Sequence, residues 1–377
     1  MKSTTTWINS INNRFWRTIV NSTATGVESV AVFRIIMGIY LLFVTTPTYT
    51  WIADLPKALY TPPIISFVNL LASDFPGRNF LVTVDFLMVA SIVGIVLGIY
   101  SRFATLAFVI LKVSVLSFQY SFGKIDHDIM LPATLACMAF SGWGQTLALV
   151  PDKRSKWDSP SKSLSVIAVL IGFGYFSAGI EKAIHWLNFD LNSNGTARWF
   201  YLGLYNLQRQ PILAPALKNA PFWFFKIMDV VGVIFELTPI IAVLISRKAW
   251  RIWLFFAAAF HLVNYLLFNI NFIGNGLVYI AFINYKPVYR YVANLTKSYI
   301  AKALILAAVG YAAVIRGISI LTSQNVGIIF IPDNGNANLY CMLIIWALIC
   351  AALFITIFKT GKQPVHDDLE VVSPQLT

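Results

Sequence analysis

The hydrophobic residues of the chain are grouped in long runs that polar or basic segments separate. When such a run is helical, about 20 residues are needed to cross the hydrocarbon core of a bilayer. Most of the runs reach that length, and the eighth is short for a full crossing. The pattern therefore predicts about ten transmembrane helices, or nine if the eighth does not cross. The runs cover residues 29–49, 80–98, 103–120, 123–148, 164–186, 221–245, 252–270, 272–284, 303–321 and 340–358.

Composition favours the same class of structure. Of the 377 residues, 58% are hydrophobic and 12% are charged, which differs strongly from the balance of a soluble domain. We therefore expect an all-α, polytopic integral membrane helical bundle without a soluble domain. The expected parts are a cytoplasmic N-terminal segment with a surface helix (1–26), a main transmembrane domain (27–285), C-terminal transmembrane helices (286–358) and a disordered cytoplasmic tail (359–377).

Positive charge is concentrated in short segments between the runs. The formal net charge is +12, and Lys and Arg cluster in 1–26, 151–163, 246–251 and 286–302. If the N-terminus is cytoplasmic, all four clusters lie on the cytoplasmic side, as the positive-inside rule requires. This distribution predicts that both termini are cytoplasmic, and it argues against nucleic acid as a partner. The three cysteines lie in apolar runs without the spacing of a zinc site or a disulfide framework.

The fifth run ends in polar side chains that are unusual in a segment long enough to cross a membrane. Small residues on the face that carries them would let another helix approach just below a cationic side chain. Two interpretations stay open: this face is the floor of a site, or the lysine reaches the headgroups and its neighbours form an interfacial belt. With helical spacing, this face contains Tyr175, Ala178, Gly179, Lys182, His185 and Trp186.

Polar residues of other runs share a similar depth under this topology. Each buried ionisable group costs at least about 2.5 kcal/mol unless it is paired, so their convergence in the outer half of the bilayer favours a functional site. Desolvation disfavours the charged form of a lysine, so Lys182 is a candidate neutral base. The other converging residues are Asp126, His127, Asp128, Glu181, His185, Asp229, Glu236, His261 and Asn264.

Each of these residues also has a plainer interpretation. His127 at a helix start fits an interfacial side chain, and His261 fits a hydrogen bond between packed helices. Glu236 fits a structural ion pair with Lys112 or Arg34. These alternatives stay open at the level of spacing alone.

Five short stretches nevertheless follow a familiar order and spacing. They are FRIIMG at 33–38, KIDHD at 124–128, YFSAGIEK at 175–182 followed by Trp186, FEL at 235–237, and HLVN at 261–264 followed by Phe268. Together they resemble the horizontally transferred transmembrane (HTTM) domain, which is shared with vitamin K-dependent gamma-glutamyl carboxylase. The similarity covers about residues 29–284.

The resemblance implies roles for particular residues. In the carboxylase, the lysine of the stretch that matches Lys182 deprotonates vitamin K hydroquinone. Oxygen then yields an alkoxide that removes a proton from a substrate glutamate, and the carbanion takes up carbon dioxide. The histidine that matches His127 is linked to carboxylation, and His261 matches another core histidine. The implied cofactors are a reduced quinone of the vitamin K or menaquinone type, oxygen and carbon dioxide, with no metal.

Further residues are expected to take part in the site, and the sequence differs from the carboxylase in two ways. Tyr175, Gly179, Trp186 and Asn264 are expected to bind the cofactor, with Asp126, Asp128, Glu181, His185 and Glu236 in support. Glu181 stands where the carboxylase has a second lysine, and we expect no large lumenal domain of the kind that grips the carboxylase's propeptide. Both departures put peptide carboxylation in doubt.

Two hypotheses from different classes follow. In the first, the protein is a bacterial cytoplasmic-membrane enzyme in which quinone-dependent oxidation is coupled to modification or maturation of a secreted peptide. Bacterial relatives of this shorter type include membrane proteins needed to mature a secreted sporulation-delaying toxin. In the second, it is a non-enzymatic transporter, lipid-binding protein or assembly factor that uses the same polar cluster. Membrane lipid is an expected partner in both, and a secreted peptide or small protein in the first.

Overall fold

The structure is a computed structural model that describes residues 2–45, 48–64, 66–121, 129–188, 190–191, 193–324, 326–331 and 335–358. The predicted tail and the motif Asp126-His127-Asp128 lie outside these residues. Regular secondary structure in the described part of the chain is helical. The helices are α1 (Lys2–Thr23), α2 (Val27–Ile39), α3 (Val68–Leu71), α4 (Arg78–Leu97), α5 (Ser101–Gln119), α6 (Met130–Met138), α7 (Pro160–Trp186), α8 (Gly195–Tyr201), α9 (Ala214–Leu217), α10 (Phe222–Glu236), α11 (Pro239–Ile245), α12 (Arg247–Phe268), α13 (Ile273–Tyr279), α14 (Lys286–Leu295), α15 (Tyr299–Thr322) and α16 (Gly335–Phe358).

Seven of the described helices are long and apolar enough to cross a membrane. They are α2 with its π-helical extension to Val44, α4, α5, α7, α12, α15 and α16. An eighth span is formed if α10 and α11, which meet at an angle of 47°, are counted together. The expected eighth run is short, as the sequence predicts: α13 and its 3₁₀ extension cover Ile273–Phe282. Within the described residues, the regular structure is thus all-helical, with seven or eight long apolar spans beside the ten runs that the sequence predicts.

The fourth run departs most from its prediction, because helix α6 ends at Met138 instead of continuing to about Ala148. Its nine residues span about 14 Å, less than half of the hydrocarbon core. Residues 139–150 form turns, and Gly142 takes a positive φ of 74° that a helix does not permit. The buried guanidinium of Arg34 donates to three backbone carbonyls in these turns. That tertiary contact favours turns over helix in an apolar segment.

The sixth run is broken between Glu236, where α10 ends, and Pro239, where α11 begins. Proline has no N–H to donate, and its ring clashes with the preceding helical turn, so it is tolerated at a helix start but not inside a helix. Pro239 occupies this starting position in α11. The break leaves Glu236 as the last residue of α10, facing α7.

The N-terminal helix α1 is partly surface and partly core. The sequence predicts a surface helix, and Trp7 is indeed 65% exposed. The second half departs from that prediction: Ile19 is fully buried, and the Thr23 hydroxyl lies 2.9 Å from the Ser165 hydroxyl on α7. The helix is therefore anchored to the bundle by its C-terminal turns.

Connections between the helices meet in two groups. At one end, the Leu149 N–H donates to the Leu97 carbonyl, which joins the turns of 139–150 to the α4–α5 connection. At the other end, the Ile329 N–H donates to the Phe43 carbonyl, 2.9 Å away. The described residues of the predicted site lie on α7, α10 and α12.

Candidate functional site

The polar stretch of α7 forms an ion pair with α10. The ammonium of Lys182 donates to Glu236 Oε1, and it lies 5.3 Å from the centre of the Trp186 ring. The Lys182 side chain is 30% exposed, whereas that of Glu236 is 4% exposed. Glu236 Oε2 is buried and has no hydrogen-bond partner among the described residues. One carboxylate oxygen thus holds the amine, and the other is left unsatisfied beside it.

The pair forms because α7 and α10 approach closely at a glycine. A Cβ built on Gly179 would lie 3.0 Å from Glu236 Cβ and 3.2 Å from the Glu236 carbonyl carbon. A side chain at this position would therefore push α10 away. The sequence predicts this approach of a second helix below Lys182, but it leaves the identity of that helix open.

Replacing Gly179 with alanine is expected to lower the free energy of unfolding by about 1–3 kcal/mol, because the added methyl group overpacks a contact that includes backbone. Gly174→Ala is the matched control on the same helix, where a Cβ would meet nothing within 4 Å. It should leave stability unchanged or raise it by up to about 1 kcal/mol, since alanine favours helix over glycine. Unfolding by SDS titration in mixed micelles measures both; equal stability of the two variants would contradict the close approach.

A second polar cluster lies deeper and is formed by His261, Tyr175 and Tyr279. The Tyr175 hydroxyl lies 2.8 Å from His261 Nε2 and 2.8 Å from the Tyr279 hydroxyl, and the Tyr279 hydroxyl lies 2.9 Å from Nε2. All three side chains are at least nine-tenths buried. An imidazole nitrogen is either one donor or one acceptor, so Nε2 takes part in one of its two contacts at a time. The cluster therefore has two alternative hydrogen-bonding arrangements.

Aromatic rings separate the two polar clusters. The Tyr175 ring packs edge to face on Phe235, with centroids 5.8 Å apart, and on Trp253, with centroids 4.9 Å apart. Phe235 in turn stacks on Trp253 and directly precedes Glu236. Lys182 lies two helical turns after Tyr175, about 10 Å along the axis of α7. Lys182 and His261 thus belong to neighbouring clusters with different hydrogen-bond partners.

Two cavities lie beside the histidine cluster. The smaller cavity, of about 210 Å³, is lined by residues that include Lys112, Asn275 and Phe272, and the Phe272 ring packs 4.7 Å from that of His261. The larger cavity, of about 480 Å³, is lined by Tyr265, one turn after His261, among others. Lys182 and Glu236 line neither cavity.

The remaining residues of the predicted site are distributed differently. Glu181 and His185 are exposed, and Glu236 rather than Glu181 is the acidic partner of Lys182. Asn264 is half-buried and makes no hydrogen bond within the described residues. Trp186 packs beneath Lys182, as above, and Asp126, His127 and Asp128 lie outside the described residues.

Asp229 and the neighbouring Lys226 of α10 stabilise the polar insertion between α7 and α10. Asp229 accepts hydrogen bonds from the N–H groups of Gly195 and Thr196 at the start of α8. Lys226 donates to the carbonyls of Trp186 and Ser193 and to an asparagine side chain. Both buried charges thus satisfy polar groups of the insertion, which argues for a structural role.

The sequence did not predict Tyr279, or the rings of Phe235 and Trp253, as parts of the site. Tyr279 lies in an apolar run, 18 residues after His261, and no spacing rule joins positions on separate helices. Its hydroxyl is a polar group in an otherwise apolar segment, and a buried hydroxyl needs a partner. That requirement is the signal that would have placed it on the list of candidates. In the described part of the chain, no group of three or more His, Cys, Asp or Glu side chains is placed to hold a metal ion.

A family model matches most of the chain. The HTTM domain matches residues 23–284, more than two thirds of the chain, and this range contains both polar clusters. The chain belongs to the HTTM family. The resemblance found in the short motifs is therefore confirmed, and with the apolar helices it makes the protein an integral membrane protein of the carboxylase-like HTTM family. Neither a curated protein nor a solved structure matches the chain.

Proposed function

We propose that this HTTM protein is an enzyme of the bacterial cytoplasmic membrane in which quinone-dependent oxidation is coupled to modification or maturation of a secreted peptide. The observation that carries the proposal is the ion pair of Lys182 with the buried Glu236. Both termini are cytoplasmic in this proposal, and the pair lies towards the outer face. A reduced quinone with oxygen supplies the oxidation, and carbon dioxide is the co-substrate if the modification is a carboxylation.

The pair supports base chemistry through its shared proton. The direct hydrogen bond between the amine and the carboxylate gives a proton a path from Lys182 to Glu236, which would leave a neutral amine beside a neutral acid. In the neutral arrangement, Lys182 Nζ accepts a proton from an acidic hydroxyl while Glu236 holds the proton that the amine gave up. The unsatisfied Oε2 of Glu236 offers a second acceptor at the same place. Glu236, and not Glu181, is therefore the carboxylate that can accept a proton from Lys182, because Glu181 is exposed and does not pair with the lysine.

The side chains around the pair fit a flat aromatic cofactor. The Trp186 ring lies under the amine, and Phe235, which directly precedes Glu236, stacks on Trp253. Flat rings stack on such surfaces. The buried indole N–H of Trp253 has no hydrogen-bond partner among the described residues and is available to an oxygen atom. We propose that these residues, with Tyr175, hold the quinone, that Gly179 contributes by letting α10 bring Glu236 to α7, and that His261 orients the tyrosine hydroxyls behind it.

The experiment is an assay of the purified protein with reduced menaquinone or vitamin K in detergent, with the quinone epoxide as product. Lys182→Ala is expected to lower epoxide formation at least a hundredfold, because it removes the proton acceptor. Lys218→Ala is the matched control, since Lys218 is an exposed lysine of the insertion. If wild type and Lys182→Ala are equally inactive with every quinone tried, the enzymatic proposal fails.

The second candidate function is a transporter, lipid-binding protein or assembly factor. This function would use charged side chains within the membrane spans other than Lys182 and Glu236. One observation favours it, because Lys112 lines the smaller cavity. Two other such charges bind backbone instead, since Arg34 donates to carbonyls of 139–150 and Arg316 donates to the Leu42 carbonyl. Tolerance of Lys182→Arg in a cellular assay would support this function, because arginine keeps the charge and cannot act as a neutral base.

A further inference from the structure

The larger of the two cavities has an unusual lining. We call it the amide cavity, because five of its twelve lining residues carry a carboxamide. Tyr265 adds a hydroxyl, and the described lining contains no charged side chain. Its volume of about 480 Å³ lies within the roughly 300–1,000 Å³ that is usual for ligand pockets. The carboxamides belong to Gln210, Asn269, Asn271, Asn336 and Asn338.

This lining selects a chemical class of ligand. The described lining offers a charged ligand no counter-charge, and a purely apolar ligand would desolvate the amides without replacing their hydrogen bonds. A carboxamide presents two N–H donors and one carbonyl acceptor in a single plane. A peptide group presents one donor and one acceptor in a plane, so the two pair through two hydrogen bonds. The Asn271 oxygen already accepts from the Ile273 N–H, whereas the exposed carboxamides of Gln210 and Asn336 can match the repeated amides of an extended main chain.

A sugar is a weaker fit to the same cavity. The C–H face of a pyranose packs on an exposed aromatic ring, and the lining offers Tyr265 alone, which is 7% exposed. The cavity instead supplies hydrogen-bonding groups from three separate parts of the fold. These are the insertion before α10, the α12–α13 connection and the first turn of α16.

The position of the cavity connects it to the histidine cluster. Tyr265 lies one helical turn after His261 on α12. Met342, another lining residue, lies one turn before Trp346 on α16, and the Trp346 ring packs 6.1 Å from that of His261. A ligand in the cavity therefore lies one layer of side chains away from the aromatic core of the candidate site.

We propose that the amide cavity binds the main chain of an extended segment of the peptide substrate. The inference rests on the proposed function for the identity of this ligand, and on the lining residues for the mode of binding. Recognition through main-chain amides leaves the peptide side chains free, so the cavity accepts different sequences.

The test is isothermal titration calorimetry of the full chain in detergent. The first probe is the capped peptide acetyl-(Gly-Ala)₃-amide, and the second is the same peptide with N-methylated alternate amides, which lack those main-chain donors. We expect the methylated peptide to bind at least about tenfold more weakly, the loss of one or two hydrogen bonds. Gln210→Leu/Asn336→Leu, a double substitution at two exposed lining residues, should weaken binding of the first peptide by a similar factor.

Asn294→Leu is the control, because Asn294 is an exposed asparagine of α14 outside the cavity. It should bind the first peptide as wild type does. Equal binding of the two peptides, absence of binding by wild type, or displacement of the peptide by trehalose would each overturn the inference. Binding is measured without quinone, so peptide binding in a protein that forms no epoxide would leave this inference standing while the redox proposal fails.

Discussion

Replacing Lys182 with methionine is expected to destabilise the fold by about 3 kcal/mol, because the carboxylate of Glu236 is left buried without its cation. The Glu236 side chain is 4% exposed, and its second oxygen already has no hydrogen-bond partner among the described residues. The double substitution Lys182→Met/Glu236→Leu should recover stability to within about 1 kcal/mol of wild type, since it removes both charges together. SDS titration in mixed micelles, followed by circular dichroism, measures the three proteins.

Lys57→Met provides the matched control for the Lys182 and Glu236 variants. Lys57 pairs with Asp74 at 3.8 Å, and both side chains are well exposed. Such pairs contribute about 0–1 kcal/mol, so Lys57→Met should change stability little. The double variant at Lys182 and Glu236 separates structure from chemistry, because it should be folded and inactive. A single Lys182→Met variant as stable as wild type would contradict a buried, charge-dependent pair.

Arg34→Met is expected to cost about 3–5 kcal/mol, the range for removing one partner of a buried charged network. Arg34 is fully buried and donates to the carbonyls of Trp143, Thr146 and Leu147. These carbonyls would lose their partner in an apolar environment. The free energy of unfolding of Arg34→Lys should lie between those of wild type and Arg34→Met. The three N–H donors of an ammonium share one nitrogen atom, which cannot reach three acceptors as a planar guanidinium does.

Arg34→Met should also lose protection locally, in addition to its loss of overall stability. Hydrogen–deuterium exchange is expected to rise in residues 139–150 in Arg34→Met, because the guanidinium fixes these turns. Arg290→Met, at an exposed arginine of α14, should stay within about 0.5 kcal/mol of wild type and show no such change. Wild-type protection of 139–150 in Arg34→Met would contradict the role assigned to Arg34.

Apolar runs predicted much of the fold because a membrane span is a local property. The predicted 80–98, 103–120 and 303–321 correspond to α4, α5 and α15 to within a few residues. The fourth run failed for the opposite reason: its turns depend on a guanidinium more than 100 residues earlier in the chain. Hydrophobicity alone carries no information about such a distant partner.

The candidate site was predictable to a similar extent. The polar face of α7 and its small residue Gly179 follow from helical periodicity. The partner of Lys182 did not follow, and Glu236 was weighed with Lys112 or Arg34 instead. Pairing depends on where α10 ends, which a proline three residues later decides, and on which helix packs at Gly179. Both depend on how distant parts of the chain pack together in the tertiary structure.

The closed triangle of Tyr175, Tyr279 and His261 has an electrical consequence. Its two arrangements differ in the direction of O–H dipoles and require no heavy atom to move. The buried dipole can therefore reverse quickly when a charge appears nearby, at little mechanical cost to the surrounding rings. In a rigid aromatic core, this makes the triangle a polarisable element that can follow changes of charge in the adjacent cavities while the helices stay in place.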